Sequence, residues 1–262
     1  MKTVIVTLSV LCLISLVGCQ QSIGLKIMSY NIRHGEGLDN ELDLSRSGQV
    51  IKSEAPHLCA LQEVDSYCRR SDSVNQTNYL AQYTSMTGTF GKFMDFDGGE
   101  YGMATLSSKP LLSTKVLQLP NGLHEPRSAI VHEVEIAKAC TIVFVNVHFD
   151  WLESEEGVKS RLSQARALMR YINTTDKAVV IAGDFNCTSQ SPTMQYFAEQ
   201  GFVLVDKGED NLSFQGEGKA EIDHVIYRNA ANLQVKVKEC YLLNEPIVSD
   251  HRPLVAALEI IY

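Results

Sequence analysis

The sequence predicts an α/β protein in which β-sheets pack together beneath outer helices, and three observations point there. Strand-like runs outnumber helical ones, and the helical patterns are inserted between strands. Residues 141–183 read as a strand–helix–strand crossover, the unit that joins parallel strands. No Pro/Gly/Ser-rich linker, charge block or internal repeat divides the chain, so one large domain is expected.

The first residues stand apart from that domain. Lys2 precedes an apolar stretch, residues 4–17, which ends at Leu16-Val17-Gly18-Cys19. This is the pattern of a secretory leader, and it resembles a bacterial lipobox. About fourteen apolar residues fall short of the ~20 that a spanning helix needs. Residues 1–18 are therefore expected to be cleaved, with Cys19 lipidated and residues 19–24 acting as a tether. The expected location is the cell envelope, at the periplasmic or outer face of a bacterial membrane.

Residues 25–262 are expected to form the single domain. Residues 25–30 alternate and read as a strand that ends at Asn31, before a glycine-bearing loop. A helix is expected over 42–54, with Leu44, Val50 and Ile51 inward, stopped before Pro56. A short buried strand, 57–61, runs into Gln62-Glu63, and residues 75–86 form a second helix carrying Tyr79, Leu80 and Tyr83. Strands over 90–96 and 101–107 flank the turn Asp97-Gly98-Gly99, and those over 111–119 and 129–136 flank a loop containing Arg127.

The β-branched run 141–147 stops at His148. Ser154 then caps a helix with Glu155 and Glu156 in its first turn, and Val158, Leu162, Ala165, Met169 and Ile172 form its apolar stripe. The run 178–182 ends at Gly183-Asp184-Phe185-Asn186, where strand alternation turns Asp184 and Asn186 to one side. Strands over 202–205, 222–227, 233–240 and 254–260 complete the chain.

The composition is that of a globular protein with a sizeable core, 45% hydrophobic and 21% charged over 262 residues. A net charge of −8 without a basic patch does not advertise tight, sequence-independent binding to a polyanion. Of the seven cysteines, Cys12 leaves with the leader and Cys19 carries lipid. The others show no Cys-x-x-Cys or zinc-ligand spacing, and one disulfide among them is compatible with export.

Polar residues collect at strand ends: Asn31, Glu63, His148, Asp184 and Asn186 each follow an apolar run, and Asp223 and Asp250-His251 sit beside others. Any one of these is simply where a strand meets water. Together they form a set of hard oxygen donors and imidazoles. Such oxygens suit Mg²⁺, with Mn²⁺ as an alternative, rather than zinc or copper. Histidines oriented by carboxylates can hold a phosphate, with Asp223 a candidate orienter for His251. There is no Gly-x-Ser-x-Gly elbow and no P-loop, so metal-assisted attack of water on a phosphorus ester fits best.

Tyr30-Asn31, Leu61-Gln62-Glu63, Asn146-Val147-His148, Gly183-Asp184-Phe185-Asn186, Ile222-Asp223-His224 and Ser249-Asp250-His251-Arg252-Pro253 resemble, in order, the motifs of the endonuclease/exonuclease/phosphatase superfamily. The resemblance runs from Leu25 to the C-terminus. It implies a four-layer α/β sandwich, two mixed sheets face to face with helices outside. It implies Glu63 as principal metal ligand, with Asn31 and Asp250 beside it. Asp184 would activate water and Asn186 position it, while His251, paired with Asp223, and His148 would contact the phosphate. Arg33 stands where some nucleases of the group carry an aspartate, and His148 where abasic-site enzymes carry a tyrosine.

Three further residues are candidates for substrate binding. Arg127 is a phosphate clamp or a surface-loop arginine, Arg33 lines the cleft beside Asn31, and Trp151 is a platform in the cleft or a core anchor. The resulting expectation is a monomeric, lipid-anchored Mg²⁺-dependent phosphoesterase acting on a lipid headgroup, phosphoinositide or sugar phosphate. A secreted nuclease for external DNA or RNA is the alternative within that chemistry. A binding lipoprotein that keeps the fold without the reaction is the alternative outside it.

Overall fold

The computed structural model describes residues 21–262, so the expected leader and the lipidation site at Cys19 lie outside the described residues. In chain order the elements are β1 (Ser22–Asn31), α1 (Leu44–Glu54), β2 (Leu58–Ser66), α2 (Gln76–Thr84), β3 (Thr87–Phe96) and β4 (Gly99–Ser107). There follow β5 (Leu111–Gln118), β6 (Ser128–Ala137), β7 (Cys140–His148), α3 (Glu155–Ile172), β8 (Val179–Asp184) and α4 (Pro192–Glu199). The chain closes with β9 (Val203–Leu204), β10 (Asp223–Arg228), β11 (Gln234–Leu242) and β12 (Leu254–Ile261).

The strands form two six-stranded mixed sheets, ordered β11-β12-β1-β2-β4-β3 and β5-β6-β7-β8-β10-β9. Each is built about one parallel pair, β1 with β2 and β7 with β8, bordered by antiparallel neighbours. The parallel pairs are closed by α1 and α3 as crossovers. The two sheets are thus variations on one topological plan.

Strand parity assigns the layers. Leu25 and Ile27 of β1, Leu58 and Ala60 of β2, Phe144 of β7 and Val180 of β8 meet in the central cluster between the sheets. The alternate residues face helices: Met28, Tyr30 and Leu61 lie under α1 and α2, with Ile51 and Leu80. Val145, Val147 and Ile181 lie under α3 and α4, with Leu168 and Phe197. Burying both faces of both sheets gives the expected four-layer α/β sandwich.

Several local expectations differ from what is observed. β1 begins at Ser22, because residues 22–24 pair with Ile261, Ile260 and Glu259; the tether expected there is strand. α4 was not expected, although Ser191 caps it and Pro192 follows at the first turn, a standard helix-start signal. Tyr79 points outward from α2, which buries Leu80 instead. On α3, Val158 and Leu162 are only half-buried while Arg161 and Gln164 are buried. Arg161 Nη1 donates to the carbonyls of Asp150 (2.8 Å) and Leu152 (2.6 Å), and Gln164 Oε1 accepts from Asp150 N (3.0 Å). The first half of the helix therefore fastens the loop after β7 instead of adding apolar core. Cys59, Cys68, Cys140, Cys187 and Cys240 are all free, so the possible disulfide does not form among the described residues.

Candidate active site

The parity that fills the core also builds the site. Asn31 continues the Leu25–Ile27 face of β1, His148 the Phe144 face of β7, Asp184 the Val180–Ala182 face of β8, and Asp223 the Val225 face of β10. Polar residues thus replace apolar ones where the layer between the sheets reaches its open end. β7 pairs with β8 so that His148 lies opposite Asp184, and β10 pairs with β8 so that Asp223 lies opposite Asp184 on the other side.

Glu63 has the wrong parity for that face, and a β-bulge corrects it. The register of β2 against β4 shifts between Gln62 and Val64, and Glu63 takes a left-handed φ of 56°. The carboxylate is thereby turned to Asn31, whose Nδ2 donates to Glu63 Oε1 at 3.0 Å and to Asp184 Oδ2 at 3.3 Å. Beneath it, Asn146 Nδ2 donates to the carbonyls of Leu61 (3.1 Å) and Ala104 (2.8 Å), and its Oδ1 accepts from Gln62 Nε2 (2.9 Å). This buried amide pair clamps one sheet to the other directly under the site.

Asp184 is the centre. Its Oδ2 lies 3.6 Å from His148 Nε2 and 3.7 Å from His251 Nε2, besides the Asn31 contact. Its Oδ1 accepts from the backbone N–H of Asn186 at 2.9 Å. β8 ends at Asp184, and Asn186 has a φ of 50°, so the two residues are neighbours through an Asx-type turn and not through strand alternation. Asn186 Nδ2 is spent on the Phe149 carbonyl (3.0 Å). His251 Nδ1 is hydrogen-bonded to Asp223 Oδ2 at 2.8 Å, the orientation expected of that pair.

These groups open onto a cleft of about 600 Å³. Asp250 lines it, with Arg127, Trp151, Tyr101 and Phe214. Arg127 is not a surface arginine: it is 2% exposed, with Nη1 on Glu125 Oε2 at 2.6 Å and its guanidinium 5.1 Å above the Phe93 ring. Trp151 is 50% exposed at the cleft and so is no core anchor. Arg33 sits behind Asp250 (Nε–Oδ2 3.8 Å), engaged by Glu36 at 3.2 Å and by the Gly37 carbonyl, and does not line the cleft.

The family scan adds an independent observation: the model of the Endonuclease/Exonuclease/phosphatase family matches residues 28–251. The chain belongs to this family. No curated protein matches it. Among solved structures, the endonuclease/exonuclease/phosphatase from Bacteroides vulgatus is similar at 23% identity and TM-score 0.72, covering 90% of this chain and 98% of that one. The D. rerio TDP2 complexed with single strand DNA product is similar at 16% identity and TM-score 0.71, covering 90% and 98%. The human nocturnin catalytic domain with bound sulfate anion is similar at 15% identity and TM-score 0.71, covering 92% and 97%. Members of the family are typically hydrolases of phosphoester bonds that depend on divalent metals.

The electrostatics of this family member separate its two site histidines. Burial opposes the imidazolium of His251, but the charge and hydrogen bond of Asp223, with Asp184 and Asp250 behind them, hold it up at about 10. His148 is driven well below its ordinary value by burial, then by Arg127 and His251, and is neutral. Burial and the Asp223 charge raise Asp184 to about 7, and burial and Asp250 raise Glu63.

A divalent cation fits this arrangement. Asp223 Oδ1 is buried without a hydrogen-bond partner among the described residues, and burial together with a neighbouring carboxylate pushes both Asp184 and Glu63 upward. Asp184, Asp223 and His251 each offer a ligand atom within 4.8 Å of the others. His251 Nδ1 is already bonded to Asp223, and Glu63 and Asp250 line the same cleft as further hard oxygen donors.

Sequence reading passed over the groups behind Asp223. Ser213 Oγ accepts from Asp223 N at 2.9 Å. The buried Lys207 Nζ reaches Glu221 Oε1 (2.7 Å), His224 Nδ1 (3.1 Å) and the Asp223 carbonyl (3.2 Å). His224 Nε2 in turn meets the Cys187 carbonyl at 2.8 Å, which ties the Asn186 loop to the head of β10. His224 is structural, as its parity implies. Lys207 lies in an irregular segment and carries no motif, so only the fold brings it there.

Proposed function

We propose that this family member is an exported phosphoesterase that uses Mg²⁺, anchored in the cell envelope through a lipid on Cys19, and that Asp184 activates the attacking water. The observation that supports this best is the position of Asp184 Oδ2, between His148 Nε2, His251 Nε2 and Asn31 Nδ2, in a cleft wide enough for a small ester. Glu63, with Asp250 and Asn31 beside it, would hold the cation. When bound, Mg²⁺ supplies Lewis-acid polarisation of a phosphoryl oxygen.

The chain's own groups divide the remaining work. Asp184, raised to about 7, is a base matched to neutral pH, and it takes a proton from water as the oxygen adds to phosphorus. Asn186 fixes the carboxylate by donating its N–H to the other oxygen. The imidazolium of His251 faces charge that develops on the phosphoryl oxygens, and neutral His148 donates or accepts without adding charge. The ester P–O bond breaks, and solvent protonates the released oxygen.

The full chain should hydrolyse bis-p-nitrophenyl phosphate with Mg²⁺ or Mn²⁺ and stop in EDTA. Asp184→Ala and His251→Ala should each abolish turnover; activity that survives both, or persists in EDTA, refutes the mechanism. Ligand binding without turnover across a metal and substrate screen would favour the non-catalytic reading. Labelling by a palmitate analogue that is lost in Cys19→Ala would test the anchor.

A further inference from the structure

Resting on that phosphoesterase reading, we propose that the substrate is a soluble ester of one phosphate with a neutral, hydroxyl-rich ring, bound in the outer half of the cleft between Trp151 and the carboxylates of Glu153 and Glu217. The inner half already contains everything that recognises phosphate. The Arg127 guanidinium is neutralised in part by Glu125 at 2.6 Å, and the His251 ring is tied to Asp223 at 2.8 Å. Among the described residues no lysine lines the cleft. One phosphate beside a bound cation is therefore accommodated, and a second is offered no partner.

The outer wall has the opposite sign. Glu153 and Glu217 line it and are exposed, and the described residues place no salt-bridge partner on either. A polynucleotide or a polyphosphorylated headgroup would bring further anions against them, and like-charge juxtaposition excludes partners more effectively than missing contacts do. Hydroxyl groups suit these carboxylates, because a carboxylate only accepts hydrogen bonds and each hydroxyl donates one.

The aromatic residues favour a ring over a quaternary ammonium. Phe214 packs on His251, with centroids 5.2 Å apart, and Tyr101 packs on Phe93 at 5.7 Å with Arg70 5.1 Å from its ring. Among the described residues that line the cleft, Trp151 is the one exposed aromatic, and an ammonium cage needs several such faces. A half-exposed indole, with His124 6.0 Å from it, beside hydrogen-bond acceptors matches the apolar face and hydroxyl edge of a sugar or cyclitol.

The direction of β1 sets the source of the ester. Its ten residues run from Ser22 to Asn31 at the site, about 33 Å at roughly 3.3 Å per residue. Gln21 is pinned at the far end by its N–H on the Tyr262 carbonyl (3.0 Å). Gln21, two residues after Cys19 in the sequence, therefore lies at the end of the sandwich opposite the mouth, and a bilayer held there by the proposed anchor would face away from the cleft.

The test compares kcat/KM of the full chain in Mg²⁺ for glycerophosphoinositol, glycerophosphocholine, a single-stranded pentanucleotide and phosphatidylinositol in phosphatidylcholine vesicles, with bis-p-nitrophenyl phosphate as reference. The soluble inositol ester should exceed the other three natural esters at least tenfold. Glu153→Lys/Glu217→Lys should lower the ratio of inositol ester to pentanucleotide at least tenfold, and Glu153→Gln/Glu217→Gln should lower it less. Hydrolysis of the reference ester with no preference for the inositol ester, or an unchanged ratio in both double variants, overturns the inference alone. Faster turnover of the choline ester, the pentanucleotide or the vesicle lipid also overturns it. No turnover of any ester refutes the phosphoesterase reading instead.

Discussion

Asp223→Asn isolates the charge that keeps His251 protonated. At roughly 1.4 kcal/mol for each tenfold in proton affinity, a rise from 6.5 to about 10 favours the imidazolium by on the order of 5 kcal/mol. That preference comes from Asp223, with Asp184 and Asp250 assisting, against a burial that works the other way. The asparagine keeps the shape and a hydrogen-bond acceptor but removes the nearest charge. Burial then prevails, and His251 becomes neutral at pH 7. Loss of a charged donor aimed at a developing oxyanion costs roughly 10²–10³ in kcat, and KM should change little. The assay is bis-p-nitrophenyl phosphate turnover beside an NMR titration of the His251 ring nitrogens. Stability supplies a second reading of the same residue. A raised imidazole contributes stability fully present below 6.5 and lost as pH rises through about 10, so the wild type should lose stability over that window and Asp223→Asn should not. A His251 that still titrates near 10 in the variant, or a kcat within about threefold of wild type, would refute the argument.

Asp184→Asn should lose activity in Mg²⁺ and, with EDTA present, gain stability above neutrality. A carboxyl raised from 3.8 to about 7 makes the folded state the better proton binder, so wild-type stability falls across that window and the variant's stays flatter in urea titrations at pH 4.5 and 8. Gly183→Ala should destabilise the fold by more than ~1 kcal/mol, because its Cβ would run into the Val147 carbonyl oxygen of the parallel partner strand; an unchanged urea midpoint would refute the close approach. Lys207→Met should cost about 3 kcal/mol by leaving Glu221 without its buried partner, and adding Glu221→Gln should recover much of it. No recovery in the double variant would mean that the pair does not act through charge.

The fold was legible because near-continuous apolar runs mark strands buried on both faces, and the crossover over 141–183 marks a parallel pair. Much of the candidate site was legible for a related reason: Asn31, His148 and Asp184 each end such a run on the face it shares with the core. Glu63 shows the limit of that rule. By parity it belongs under the helices, and only the bulge, which the run Leu61-Gln62-Glu63-Val64 does not announce, turns it inward. Asn186 shows the complementary limit, since alternation placed it beside Asp184 for the wrong reason and a two-residue turn put it there. Arg161, Gln164 and Lys207 were illegible because their partners are carbonyls and carboxylates of distant loops, which no local pattern encodes.

The two sheets share one plan, yet the site they form is asymmetric. The first strand of each parallel pair ends in a neutral side chain, Asn31 or His148, and the second brings a carboxylate, Asp184 at the tip of β8 and Glu63 at the bulge in β2. Packing the sheets face to face brings these four ends together, which by itself would place two carboxylates in one buried pocket. Asn31 Nδ2 bridges them, and β10 and the segment before β12 set Asp223 and His251 against Asp184, with His251 Nε2 3.7 Å from its Oδ2. That addition is what separates the roles. In the proposed mechanism, Asp184, raised to about 7 by burial and the Asp223 charge with His251 acting the other way, is the base, and Glu63, raised by burial and then by Asp250, is the seat for a cation.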